Sequence, residues 1–298
     1  MTGRISDIFQ RKGDSVSFEV YPPKKGQKKQ FEIIKQTINR LTDLNPDFIS
    51  VTYGPGGTNK GKAVEISEYI ENRHEMGSHE GTVALAHLTA VGYTKKDIGE
   101  ILDKLYDKGV RNILALRGDI PQNVTFPYGA WCDFEFAKDL ISVIKSDGRF
   151  CIGAAAYPEG HQDCKDMKIS VDHLKVKVEA GADFFITQLF FNNDLYFKFL
   201  DQVEDSGMHM PIIPGIMPIL RAEQIRKIVS LSGATIPKDL NEKIELYKDK
   251  PEEMEKFGIE YAVKQIEELK RNGITRFHLY TMNRWKQVNE IVKLSGLR

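Results

Sequence analysis

The chain of 298 residues has little cysteine, no net charge and no long apolar run. Its three cysteines, Cys132, Cys151 and Cys164, lack metal-type pairing, so we expect neither a disulfide framework nor a metal site. The 42 basic side chains balance 42 acidic ones, which gives no reason to expect nucleic acid or a membrane as partner. The segment Met1–Asp14 has no signal-peptide core, and later apolar stretches are only strand-sized. The expected class is a cytoplasmic globular protein.

Nucleotide-binding fingerprints are also missing. No Gly-x-Gly-x-x-Gly follows a strand-like run and no Walker A loop is present, so the sequence indicates neither a Rossmann site nor a P-loop. The loop Gly54-Pro55-Gly56-Gly57 is more typical of a surface turn than of a phosphate site. His87 and His161 have no partner at a convincing metal-ligand spacing.

Short β-branched and aromatic runs recur along the chain, and each stops at a polar or charged residue. Segments of helical period separate most of them. This alternation predicts one domain over residues 1–298, an α/β protein with the (β/α)8 TIM-barrel fold, a parallel eight-stranded closed sheet and outer helices. In the seventh run Pro214 predicts a bulge or bend. The eight runs are Val16–Val20, Phe48–Tyr53, Val83–Leu88, Asn112–Leu116, Cys151–Tyr157, Asp183–Leu189, Pro211–Ile216 and Arg276–Thr281.

A barrel of this kind builds its site at the C-terminal ends of its strands. Glu19 ends a run among apolar neighbours, which would raise its pKa and suit it to general acid chemistry; an outward-facing glutamate explains it equally well. Asp119 follows Arg117-Gly118 after the fourth run, either near a ligand or in a local salt bridge. Gln188 stands in a phenylalanine-rich run, where its amide either contacts a ligand or bonds within the core.

Several cations are candidates for binding an anionic ligand. A basic loop with Lys24, Lys25, Lys28 and Lys29 could meet a polyanionic group, although such charge runs are usually only solvated. Lys177 and Arg284, nearer to strand ends or site-facing helices, are the better candidates.

Ordered blocks of sequence resemble the methylenetetrahydrofolate reductase family. They run from near residue 15 to near residue 285, and their common order is far more specific than any single block. The blocks are Ser17-Phe18-Glu19, Val51-Thr52-Tyr53-Gly54, His87-Leu88-Thr89, Leu116-Arg117-Gly118-Asp119-Ile120-Pro121, Ala156-Tyr157-Pro158-Glu159-Gly160-His161, Ile186-Thr187-Gln188, Pro214-Gly215-Ile216-Met217-Pro218 and Tyr280-Thr281-Met282-Asn283-Arg284.

The resemblance implies a barrel that binds flavin adenine dinucleotide (FAD) and reduces 5,10-methylenetetrahydrofolate to 5-methyltetrahydrofolate, in one-carbon metabolism and methionine biosynthesis. NADH or NADPH would reduce the flavin and then dissociate, and folate would bind in its place. Glu19 would be the general acid, and Asp119 the acid beside both folate and flavin. The implied folate contacts are Glu19, Asp119, Gln188, Gln224 and Arg284. The implied flavin contacts are Thr52, Tyr53, His87, Arg117, Gly118, Asp119, Ala137, Tyr157, His161 and Lys177.

Two positions depart from the family pattern. Ile228 stands where bacterial members carry an aromatic that stacks on nicotinamide, and Ser170, close to Asp172, stands where a carboxylate for the adenosine half of the flavin is expected. Two other readings stay open. One is another flavin barrel, such as a proline dehydrogenase-like oxidoreductase. The other is a flavin- and folate-binding subunit that receives electrons from a partner protein. We also expect a homo-oligomer.

Overall fold

The computed structural model describes residues 3–23, 28–53, 60–75, 81–118, 133–162, 164 and 166–298. Asp119, Cys132, the glycine loop at 54–57 and the start of the basic loop at 24–27 lie outside these residues, as do the side chains of Lys28 and Lys29. In the described part of the chain, no helix is both long and apolar enough to cross a bilayer.

Strands and helices alternate along most of the described residues, except that β7 is followed directly by β8 and three helices precede the last strand. The strands are β1 (Ser15–Val20), β2 (Phe48–Val51), β3 (Val83–Thr89), β4 (Asn112–Leu116), β5 (Cys151–Ala156), β6 (Phe184–Thr187), β7 (Ile212–Ile213), β8 (Gly215–Ile216) and β9 (Arg276–Tyr280). The helices are α1 (Ile5–Arg11), α2 (Lys28–Thr42), α3 (Lys60–Glu75), α4 (Lys95–Asp107), α5 (Ala137–Asp147), α6 (Met167–Ala180), α7 (Asn193–Asp205), α8 (Ala222–Ser232), α9 (Lys238–Tyr247), α10 (Pro251–Arg271) and α11 (Trp285–Leu294).

The strands form a single parallel sheet in the order β7-β6-β5-β4-β3-β2-β1-β9-β8. The seventh predicted run is divided at Pro214 into β7, which pairs with β6, and β8, which pairs with β9. A proline has no N–H for a sheet ladder, so the chain bends at this residue and joins the two ends of the sheet. The (β/α)8 barrel and its bend are thus confirmed.

Alternate residues along the strands pack into two separate hydrophobic clusters. In β1, Phe18 and Val20 face outward and pack with the surrounding helices. Phe48, Leu114 and Phe184 belong to a second cluster inside the barrel. Because both faces of a parallel strand are buried in this architecture, the strands read as nearly continuous apolar runs, which explains why the sequence identified them.

Three strands end earlier than their apolar runs. β2, β5 and β6 stop before Thr52, Tyr157 and Gln188, which the sequence had placed inside strands. All three side chains line a cavity at the mouth of the barrel. The main-chain N–H groups of Thr52 and Gln188 still donate to the neighbouring strands, at Val20 and Ala156, while their side chains reach the cavity. The apolar runs therefore extend to the point where the sheet meets the cavity.

The short helix α1, which the sequence did not predict, closes the N-terminal end of the barrel. Its Phe9 ring meets Phe48 and Phe184 edge-on, with ring centroids 6.4 and 5.5 Å apart. Asn112 anchors the helix: its Oδ1 accepts the Ile5 N–H at 2.8 Å, and its Nδ2 donates to the Gly3 carbonyl at 2.9 Å. With this end filled by side chains, ligand access falls to the C-terminal end.

A buried carboxylate at the N-terminal end of the barrel binds one residue from each of the first and last segments of the chain. Asp47 is 2% exposed and binds Lys12 Nζ and Arg298 Nη2, each at 2.6 Å. It also accepts the Val16 N–H at 3.0 Å. Removing the carboxylate would leave two cations and a strand N–H without their partner.

We therefore expect Asp47→Ala to lower the free energy of unfolding by about 3 kcal/mol, in the range found when one member of a buried ion pair is removed. The matched control is Asp43→Ala, which removes an exposed partner lying 3.7 Å from Arg40 and should change stability by less than about 0.5 kcal/mol. Urea unfolding monitored by circular dichroism measures both. Equal losses in the two variants would contradict this assignment.

Candidate active site at the mouth of the barrel

A cavity of about 1330 Å³ opens at the C-terminal ends of the strands. It brings together most of the residues predicted for the site. Those that line it are Glu19, Thr52, Tyr53, His87, Arg117, Gly118, Ala137, Tyr157, His161, Lys177 and Gln188. Gln224, in the first turn of α8, and the exposed Arg284, just before α11, do not line it. Asp119 lies outside the described residues.

The floor of the cavity holds a carboxyl group beside an imidazole. Glu19, whose side chain is 19% exposed, places Oε2 3.6 Å from His87 Nε2. Burial raises the pKa of Glu19 to about 8 and lowers the pKa of His87 to about 3. At neutral pH the two groups are therefore mainly a carboxylic acid and a neutral imidazole rather than an ion pair. His87 Nε2 has no hydrogen-bond partner among the described residues.

A second histidine lies deeper in the barrel. The His278 ring stacks on Phe48 and hydrogen-bonds through Nδ1 with Ser17 Oγ at 2.8 Å, and through Nε2 with Ser50 Oγ at 3.4 Å. Burial lowers its pKa to about 3. Because both histidines are neutral, neither offsets the cost of ionising Glu19.

Tyr280, two residues beyond His278 on β9, forms another part of the cavity wall. Its hydroxyl donates to the Thr187 carbonyl at 2.6 Å, while Gly215 N–H donates to Thr187 Oγ1 at 2.9 Å. A Cβ at position 215 would lie 2.6 Å from Tyr280 Cε2, so only glycine leaves room for the ring. Sequence reasoning missed both Tyr280 and His278 as lining residues, although their i, i+2 spacing on a strand could have shown that they share the inner face.

One side of the cavity is suited to an anion. Lys177 reaches from α6 to donate to the Ala155 carbonyl at 2.8 Å, and burial lowers its pKa to about 8, so it remains mostly charged at neutral pH. Arg117 follows β4 on the same cavity, and the N-terminus of α5 enters it at Ala137. Cations beside a helix N-terminus make a favourable environment for phosphate groups.

Gln188 presents a fixed amide to the cavity. Its Oε1 accepts the Leu189 N–H at 3.0 Å, which sets the orientation of the group. Its N–H donors have no hydrogen bond with any described residue, and they are therefore available to a ligand.

The two positions that depart from the family pattern also lie on the cavity. Ile228 faces it from α8, close to the aliphatic side chains of Leu231 and Met217. Ser170 lines it from α6 and has a buried Oγ without a partner in the described structure. The neighbouring Asp172 is exposed and does not line the cavity. In the described ranges, no cluster of three or more His, Cys, Asp or Glu side chains is placed to hold a metal ion.

Fold and site together define a (β/α)8-barrel protein with an acid at the floor of a large ligand cavity. A family model described as methylenetetrahydrofolate reductase matches residues 4–296. The chain therefore belongs to the methylenetetrahydrofolate reductase family, whose members are oxidoreductases, and the predicted resemblance is confirmed. Membership favours this family over the alternative of a proline dehydrogenase-like barrel.

Relatives match over nearly the whole chain. The 5,10-methylenetetrahydrofolate reductase of Pectobacterium carotovorum subsp. carotovorum is 33% identical over 284 residues, which is 95% of this chain and 91% of that protein. Methylenetetrahydrofolate reductase (NADH) 1 of Arabidopsis thaliana is 30% identical over 305 residues, covering 99% of this chain and 50% of the plant protein.

A solved structure from Clostridium thermocellum shares the fold. That protein, described as binding two copies of 5-methyl-5,6,7,8-tetrahydrofolic acid, superposes with a TM-score of 0.66 at 16% identity. The match covers 97% of this chain and 96% of the other. At this identity the likeness concerns the barrel alone.

The raised pKa of Glu19 has a consequence for stability. An unfolded chain ionises this carboxyl near pH 4.5, whereas the folded protein retains the proton to about pH 8. The contribution of Glu19 to the free energy of unfolding is therefore greatest below pH 4.5 and is lost as the pH rises through 8. Relative to Glu19→Gln, the wild type should lose a few kcal/mol between pH 5 and 8, since each pKa unit corresponds to about 1.4 kcal/mol.

Urea unfolding of both proteins at several pH values measures this difference. Glu32→Gln, which alters a carboxylate that is 67% exposed, is the control and should track the wild type at every pH. Parallel stabilities for wild type and Glu19→Gln would show that Glu19 ionises normally.

Proposed function

We propose that this protein is an FAD-dependent reductase that converts 5,10-methylenetetrahydrofolate to 5-methyltetrahydrofolate, with Glu19 as the general acid. The proposal rests on the position of Glu19, whose carboxyl lies at the cavity beside a neutral histidine and whose pKa burial raises to about 8. Family membership supplies the reaction class.

The cavity fits FAD in size and chemistry. Lys177 and Arg117 provide positive charge for a pyrophosphate, and Ala137 brings the N-terminus of α5 to the same wall. Two buried polar atoms without described partners, His87 Nε2 and Ser170 Oγ, are free to bond a polar ligand. Thr52, Tyr53, Gly118, Tyr157 and His161 complete the proposed flavin contacts. When bound, reduced FAD would supply the hydride for folate reduction.

Glu19 has the properties that opening the methylene bridge requires. The bridge becomes an electrophilic iminium when a folate nitrogen takes up a proton and its bond to the methylene carbon breaks. A carboxyl with a pKa near 8 carries that proton at neutral pH, whereas an ordinary glutamate would have lost it. His87, held neutral by burial, does not compete as the proton donor.

Folate recognition is assigned to polar groups around the acid. The N–H donors of Gln188 are available for the pterin ring. We also retain Asp119, Gln224 and Arg284 as proposed folate contacts, although the latter two do not line the cavity. Arg284 follows Met282, which does line it, by only two residues.

NADH or NADPH is the proposed source of electrons, with Thr52 and Gln188 near the nicotinamide. The name of the Arabidopsis relative specifies NADH. The aliphatic wall at Ile228, Leu231 and Met217 favours a second candidate, in which a partner protein reduces the flavin. Turnover of either nucleotide by the isolated protein with an artificial acceptor supports the first candidate; no turnover with either supports the second.

The acid assignment predicts a selective defect in Glu19→Gln. The purified variant should be yellow like the wild type and should bind FAD normally. After chemical reduction of the flavin, its reoxidation by methylenetetrahydrofolate should be at least about 100-fold slower than in the wild type, because general acid catalysis contributes this much or more. Stopped-flow absorbance at the flavin band measures the rate.

Glu32→Gln serves as control and should reoxidise at the wild-type rate. A colourless wild-type protein that takes up no FAD would refute the flavin assignment. Wild-type reoxidation by Glu19→Gln would refute the role of the acid.

A further inference from the structure

The turn after β9 contains two consecutive non-glycine residues in the left-handed region. Met282 has φ 50° and Asn283 has φ 55°. Such conformations are strained for residues other than glycine and persist where the surrounding structure holds them in place. This turn lies at the cavity, since Met282 lines it.

The side chain of Asn283 holds the turn against the end of β1. Its Oδ1 accepts the Tyr21 N–H at 3.1 Å, and its Nδ2 donates to the Tyr21 carbonyl at 2.9 Å. The ladder between β1 and β9 ends at the pair Glu19 and Tyr280. The carboxamide of Asn283 therefore acts as a substitute peptide group and extends the pairing beyond the last rung.

Thr281 holds the chain at Glu19, two residues before Tyr21. This buried residue donates from Oγ1 to the Glu19 carbonyl at 2.5 Å and accepts the Asn283 N–H at 3.0 Å. The main chain is thus held at position 19, near the end of β1, by Thr281 and at position 21, just beyond β1, by Asn283.

The carboxyl of Glu19, in contrast, has no hydrogen bond with any described residue, and its Oε2 lies 3.6 Å from His87 Nε2, beyond hydrogen-bond distance. Its place in the cavity therefore depends on the main chain that carries it. We propose that Thr281 and Asn283 are positioning residues, which hold the end of β1 so that the Glu19 carboxyl reaches the folate. This inference rests on the proposed function of Glu19.

The test separates the hydrogen bonds from the turn geometry. Asn283→Gly keeps the left-handed backbone accessible but removes both bonds to Tyr21. Thr281→Val removes the hydroxyl at nearly constant volume, and Thr281→Ser restores it. Asn45→Gly is the matched control, because Asn45 is also left-handed, with φ 49°, but precedes β2 at the opposite end of the barrel.

We expect reoxidation of chemically reduced enzyme by methylenetetrahydrofolate to slow at least about 10-fold in Asn283→Gly and Thr281→Val, since displacements near 1 Å can cost up to about 100-fold. FAD affinity should stay within about twofold of the wild type. Thr281→Ser and Asn45→Gly should reoxidise at nearly the wild-type rate.

The outcomes distinguish this inference from the proposed function. If Glu19→Gln reoxidises normally, the acid role is wrong and the inference fails with it. If Glu19→Gln is slow but Asn283→Gly and Thr281→Val stay within twofold of wild type, only the inference fails. It also fails if these variants lose FAD affinity in parallel with rate, or if Thr281→Ser does not restore the rate, because the residues would then be merely structural.

Discussion

The site depends on burying one carboxyl group without a charged partner. Glu19 lies at the mouth of the barrel beside a histidine that burial keeps neutral, and a second neutral histidine lies beneath. Ionising the carboxyl in these surroundings would leave a charge without compensation, so the proton stays on the acid through neutral pH. The proposed chemistry requires that property, and it comes from the packing of the barrel rather than from a particular ion pair.

Contacts that stabilise the fold lie at the end of the barrel opposite to the buried acid. The N-terminal end is filled by α1 and anchored by Asn112, and the chain ends converge on Asp47. At the C-terminal end, His87 Nε2 and Ser170 Oγ lie beside the cavity without described partners, and Met282 and Asn283 form a left-handed turn. This division is typical of barrels of this class, in which the bottom face stabilises and the top face carries the site.

The sequence predicted the barrel because strands buried on both faces read as apolar runs, and it located the bend because Pro214 cannot join a ladder. It missed α1, since a seven-residue helix near the N-terminus is too short for a periodic pattern.

The candidate site was predicted less completely than the fold. The sequence located Glu19 at a strand end but left its direction open, and only the fold shows that it faces the cavity. The cavity roles of His278 and Tyr280 were missed because the alternation along their strand was not used. Gln224 and Arg284 were assigned through the family resemblance alone, so no physical argument from spacing located them.

The proposed chemistry depends on Glu19 holding its proton at neutral pH. Infrared difference spectroscopy, with the wild type compared against Glu19→Gln, resolves the stretching band of a protonated carboxyl directly. We predict a band that is present at pH 7 and disappears with a midpoint near pH 8. A band that has already disappeared by pH 6 would show that Glu19 ionises as an ordinary glutamate.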